Sequence, residues 1–355
     1  MASWRFVCWV AALPLCVSGA ESADKALERE IIDKAHASIL PEDAKGFLPL
    51  SRAGVGGPEA TGPGAPEASE FPQSLEVYQA AVRVRPTPEL RTIVLQPLGE
   101  FNREQMEVLE LLREYAAIFF QQPARLEKPI PLELPAGDMT RSPAVWKSVP
   151  KPRECPRKDP LVRNVPLGQR HGTYDRQYNG DRVIFELLAP RLPRDTLLYL
   201  GVTMADLYCG EGQYVFGVAS LDQRVGVLSL CRYYPEFWGS TAREGDEHRG
   251  LRRACKILNH ETGHMFGLRH CVFYRCAMNY SNSLQELDGT PIHYCPICHR
   301  KLMWNTGFDP FKRYAALREF YQRNGLTAEA AWLAGRLQRW KTVAAQENLK
   351  KIKDE

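Results

Sequence analysis

Past residue 20 the sequence has no uncharged apolar run approaching the roughly 18 residues of a membrane span, so no spanning helix is expected there. It also has little charge in excess. Its 46 Lys and Arg against 42 Asp and Glu leave a net charge of +4, too small to imply a nucleic-acid-binding surface. Its ten cysteines in 355 residues are too dilute for a disulfide-scaffold miniprotein, so their spacing matters more than their number. What remains is globular composition, 44% hydrophobic and 25% charged, with length for one large domain or two smaller ones.

Residues 1–20 read MASWRFVCWVAALPLCVSGA. A single early arginine, a short uncharged apolar stretch and a small-residue Ser18-Gly19-Ala20 before Glu21 make the pattern of a secretory signal peptide. The expectation is a secreted or periplasmic protein with no stable membrane insertion after signal removal; a cytoplasmic protein is the alternative. Residues 21–48 read as helical. Residues 53–68, half of them glycine or proline, read as a flexible linker. The expected division is a signal over 1–20, a helical segment and linker over 21–90, a catalytic domain over 91–310 and C-terminal helices over 311–355.

Thr92 to Leu95 makes the first good strand. Asn102 and Gln105 form a capping box for a helix with Met106, Leu109, Leu112, Ala116 and Phe119 on one face. The proline-rich stretch 123–166 should be extended or looping, its basic part 147–163 a solvated loop. A second helix is expected over 181–188 and a buried strand over 197–203. Strands over 214–220 and 225–231 should pair as a hairpin. Helices are expected over 247–267, 311–323 and 327–350. The strand–helix alternation predicts an α/β fold with a mixed sheet.

Residues 260–270 read HETGHMFGLRH. His260 and His264 are one helical turn apart on one face, the spacing that brings two imidazoles to one zinc ion. Glu261 lies about 100° round the helix, near a zinc-bound water without being a ligand. Gly267 can take the left-handed conformation that ends a helix, letting His270 swing back as a third ligand. Three protein ligands leave a position for water, whose pKa zinc lowers to about 7, and Glu261 can take its proton as it attacks a carbonyl. HExxH alone also occurs in ordinary helices; the extended HExxHxxGxxH is far more specific and is the metzincin frame.

Cys271 and Cys276 form one close pair, Cys295 and Cys298 another. That spacing fits a closed four-thiolate zinc site, and in an exported protein it fits disulfides as well. Among the remaining cysteines, Cys155, Cys209, Cys231 and Cys255, the last reads as a core thiol. Cys209 and Cys231 flank the hairpin and could pair if exported.

The run HETGHMFGLRHCVFYRCAMNYS…CPIC resembles the archaemetzincins, in which a metzincin-type motif runs into four cysteines of a second zinc site. GVTMADLY at 201–208, YVFGVASL at 214–221 and RACKILNHE at 253–261 also resemble family segments. The resemblance extends from about Arg91 to Trp340. It implies a compact metzincin-like α/β domain with a mixed twisted sheet, an active-site helix and C-terminal helices. It implies two zinc ions per chain, a catalytic one on His260, His264 and His270 and a structural one on Cys271, Cys276, Cys295 and Cys298. It also implies Met278 as the Met-turn residue beneath the catalytic zinc. The signal pattern and the divergent first 90 residues depart from the family. Tyr280, two residues after Met278, has two readings: a packing residue under the helix, or an oxyanion donor as in astacin-like and serralysin-like metzincins.

Two functions follow. One is a zinc metallopeptidase, expected as a monomer, that takes a peptide or protein substrate along an edge strand formed by YVFGVAS, with Glu261 as general base. The other is a zinc-stabilised peptide-binding protein that turns over little or nothing. The intact Glu261 favours the first, because a scaffold needs no carboxylate there.

Overall fold

The computed structural model describes residues 30–31, 33–35, 44, 47–50, 72–133, 140–141, 177–209 and 214–354. The expected signal, the linker over 53–68, the basic stretch 147–163 and Cys155 lie outside these residues.

Helix α1 (Leu75–Ala81) is capped by the Ser74 hydroxyl, which accepts from Val77 N. Strand β1 (Thr92–Leu98) leads into α2 (Arg103–Phe120), where the expected capping box forms: Asn102 accepts from Gln105 N, and Gln105 accepts from Asn102 N. Leu109, Leu112, Ala116 and Phe119 are all buried along α2, as their spacing requires. Strand β2 (Ala124–Leu126) follows, then β3 (Thr140–Arg141), β4 (Gln177–Asn179), β5 (Thr196–Thr203), β6 (Asp206–Tyr208), β7 (Gly217–Ala219) and β8 (Val225–Ser229).

The main sheet runs β2-β1-β5-β8-β7. Its first four strands are parallel, and β7 pairs antiparallel with β8 at the end of the sheet. All eight residues of β5 are buried, as expected of a parallel strand covered on both faces. On one face Leu95, Leu198, Leu200, Val202 and Leu228 join the large core. On the other, Val94, Leu98, Tyr199, Val225 and Val227 meet Val183, Ile184, Leu187 and Leu188. That second cover was expected as a plain helix over 181–188. It is instead three α-helical residues, Gly180–Arg182, followed by a π-helix, Val183–Leu188, which presents its four buried residues to the sheet.

Helix α3 (Asp246–Met265) crosses the first face, packed against β5, β7, β8 and α2. Then come α4 (Leu284–Gly289), α5 (Pro296–Thr306), α6 (Pro310–Arg323) and α7 (Thr327–Asp354). The sequence did not announce α4 or α5; the buried face of α5 includes the polar Lys301 and Asn305, so its apolar positions do not mark it. The N-terminal segment is built into the same core. Tyr78 is fully buried, and residues 48–50 lie antiparallel beside the Cys271–Cys276 loop through Leu50 N→Phe273 O (3.1 Å) and Arg275 N→Leu48 O (2.8 Å). Among the described residues no helix is long and apolar enough to cross a membrane.

Candidate metal centre

Helix α3 stops where Gly267, at φ +82°, takes the left-handed conformation. Gly267 N donates to His264 O (2.7 Å) and Leu268 N to Gly263 O (2.9 Å), the paired bonds of a Schellman cap. The chain then reverses and brings His270 back to the helix face that carries His260 and His264.

The three Nε2 atoms form a nearly equilateral triangle: 3.1 Å between His260 and His264, 3.2 Å from His270 to each. A tetrahedral zinc with ordinary bonds of about 2.05 Å would hold three nitrogens roughly 3.3 Å apart. His260 Nδ1 faces Ala277 O at 2.8 Å and His264 Nδ1 faces Leu268 O at 2.7 Å. A carbonyl can only accept, so each Nδ1 carries its hydrogen and each Nε2 turns a lone pair inward. Burial keeps both imidazoles neutral, His260 down to about 3 and His264 well below the usual histidine value, which is the protonation state a metal requires. Lone pairs this close repel without a cation between them, so the set fits a metal ion.

Glu261 is 4% exposed and lies on the side of α3 that faces β7. Burial pushes its carboxyl up to about 8. Met278 is fully buried, and its sulfur is packed on Gly263, between the two helical histidines. Tyr280 is 37% exposed, its ring centroid 5.2 Å from that of His270, so it stands beside the site rather than under the helix.

Cys271, Cys276, Cys295 and Cys298 come together as four buried free thiols whose sulfurs lie within 4.8 Å of one another. The 3.6 Å between the Cys271 and Cys295 sulfurs is far beyond a disulfide bond and close to the roughly 3.8 Å of a tetrahedral tetrathiolate zinc. Burial opposes ionisation of Cys271, but hydrogen bonds from Cys276, Cys295 and Cys298 outweigh it and hold this thiol well below its ordinary pKa. Asn279 braces the loop, accepting from Cys276 N (2.7 Å) and donating to Cys271 O (2.7 Å) and Tyr274 O (3.0 Å). The open pairing of Cys209 with Cys231 is not made: no disulfide joins them, and the Cys231 thiol lies fully buried against Ser229. Cys255 is a buried thiol as expected.

Sequence reasoning missed three supports of this site. Gly217 gives Glu261 its space, because no side chain stands between β7 and the carboxylate. Asp206 and Arg232 form a buried two-pronged ion pair, both bonds 2.6 Å. The Arg232 guanidinium lies over the Tyr214 ring, whose hydroxyl donates to Asn282 O (2.8 Å), tying the approach to β7 to the turn after Met278. Third, Gln73 and Tyr78 reach the turn at Gly267. All three are long-range relationships for which no local spacing pattern exists.

The chain resembles known proteins over the same region. The family model of peptidase family M54 matches residues 178–304. Archaemetzincin-2 of Macaca fascicularis is 31% identical over 277 residues, covering 70% of this chain and 69% of the relative. The archaemetzincin of Thermococcus kodakarensis is 37% identical over 147 residues, 41% of this chain and 77% of the relative. The crystal structure of the archaemetzincin from Methanopyrus kandleri aligns with a TM-score of 0.43 at 22% identity, covering 62% of this chain and 97% of that one.

Proposed function

The chain belongs to the archaemetzincin family and is a zinc metallopeptidase, and from that premise we propose that His260, His264 and His270 hold the catalytic zinc while Glu261 serves as general base. The observation that carries this reading is the three-nitrogen triangle, with the buried Glu261 carboxylate on the same helix lying against the edge strand β7. Zinc, when bound, supplies a Lewis acid and lowers the pKa of a coordinated water to about 7.

The chain's own residues do the rest. Ala277 O and Leu268 O orient two imidazoles and fix their tautomers. The outer edge of β7, the last strand of its sheet, accepts an extended peptide segment as an added strand. Glu261 takes a proton on a carboxylate oxygen during attack and returns it to the departing amine nitrogen. Its low-dielectric setting raises its proton affinity toward that role. Met278 packs beneath the histidines and Tyr280 stands at the open side, where its hydroxyl can donate to the developing oxyanion.

The four thiols hold a second zinc that organises the Cys271–Cys298 loops, giving two ions per chain. Export rests on the sequence pattern of residues 1–20 alone. Elemental analysis tests the metal assignment: two zinc ions in the purified protein and one in His264→Ala are expected. Equal zinc in both proteins would refute the histidine site.

A further inference from the structure

We propose that Gln73 and Tyr78 are positioning residues for the histidine zinc, acting through the backbone turn 266–269; the inference rests on the zinc reading above.

The turn leaves polar groups that its own helix cannot satisfy. The Schellman bonds use Gly263 O and His264 O, so Phe266 O and Gly267 O need outside donors. Both come from the N-terminal segment. The Tyr78 hydroxyl donates to Phe266 O at 2.8 Å. Gln73 Nε2 donates to Gly267 O at 2.9 Å, and Gln73 Oε1 accepts from Arg269 N at 3.1 Å.

The two Gln73 bonds bracket Leu268, and Leu268 O is the carbonyl that orients His264 Nδ1. The residue after Arg269 is His270. One side chain therefore fixes the two peptide planes that flank Leu268, and the second of these carries the carbonyl that aims the second ligand and directly precedes the residue bonded to the third. The clamp is itself held. Gln73 is 3% exposed and Tyr78 is fully buried. Asn305 Nδ2 donates to the Tyr78 hydroxyl (2.8 Å) and to Val84 O (3.0 Å). Val82, just after α1, packs against Gly267 where a Cβ would stand.

Partners of this kind set the orientation of metal ligands, and losing one typically costs about 10–100-fold in metal affinity. Gln73 and Tyr78 lie far outside the matched residues 178–304, so a segment beyond the family-model match completes the coordination geometry.

The test uses the full chain loaded with zinc. Zinc release to excess chelator is followed with a colorimetric dye for wild type, Gln73→Met, Tyr78→Phe and, as control, Val77→Ala, an exposed position on the same helix. His264→Ala identifies which release phase belongs to the histidines. The expected result is faster histidine-phase release in Gln73→Met, by about 10–100-fold, a smaller acceleration in Tyr78→Phe, an unchanged cysteine phase and no change in Val77→Ala. Tyr78→Phe keeps the buried ring and carries the test if Gln73→Met does not fold. Unchanged histidine-phase release in a folded variant overturns the inference, as does equal acceleration of both phases, which would mark a general structural role. If wild type shows no histidine phase at all, the zinc reading falls and the inference with it.

Discussion

The backbone of Gly217 on β7 lies directly against the carboxylate arm of Glu261 on α3: a Cβ at residue 217 would stand 2.6 Å from both Cγ and Oε1 of Glu261. The edge strand and the Glu261 carboxylate thus share one space, and the absence of a side chain at one residue allows the other its position.

Gly217→Ala tests that relationship. The added methyl must push Glu261 aside, and a displacement of about 1 Å at a catalytic group can cost on the order of 10²-fold. A fall of that size in kcat with both zinc ions retained is expected. Wild-type turnover in Gly217→Ala would show that Glu261 has room to spare.

The motif residues were legible because their chemistry is local. His260, His264, Gly267 and His270 are bound together by helix pitch and one left-handed turn; Cys271 and Cys276 share one loop, and Cys295 and Cys298 share the first turn of α5. The α2 capping box and the apolar run of β5 were legible for the same reason. What was not legible depends on distant packing: Gly217 against Glu261, Asp206 with Arg232, Gln73 on the turn 194 residues away. The π-helix Val183–Leu188 was hidden differently, since an α-helix and a π-helix carry nearly the same short apolar pattern.

Tyr280→Phe should lower turnover by about 10²-fold with metal content unchanged, because it deletes only the hydroxyl of an exposed ring beside His270. Steady-state kinetics with zinc analysis decides it. Turnover equal to wild type would leave Tyr280 as a surface ring and end the comparison with astacin-like enzymes.

Cys298→Ser should harm folding more than chemistry. The sulfur belongs to a buried set drawn from one loop and the start of α5, and a structural zinc there contributes folding energy directly. A loss of about 3 kcal/mol, or about 4 °C in Tm for a chain of this length, is expected. Unchanged Tm with lost activity would place the cluster in the chemistry instead.

Lys256 gives a pH dependence with a defined sign. Its ammonium is buried on α3 beside Leu287 O, and burial lowers its pKa from 10.5 to about 7. Between about pH 7 and 10.5 the unfolded chain binds this proton and the folded chain does not, so wild-type stability should rise with pH relative to Lys256→Met. The slope approaches about 1.4 kcal/mol per pH unit. Urea unfolding of both proteins at pH 7 and 9.5 measures it. A stability difference independent of pH would mean that Lys256 stays charged in the fold.

The most direct measurement is peptide-library cleavage by wild type and Glu261→Gln, each brought to the same zinc content. The amide keeps the size of the carboxylate but cannot take a proton, and losing a general base costs about 10²–10⁴-fold. Cleavage by wild type and a loss of that order in Glu261→Gln is the predicted result. Near-native cleavage by Glu261→Gln at equal zinc would contradict Glu261 as the base on which this mechanism turns.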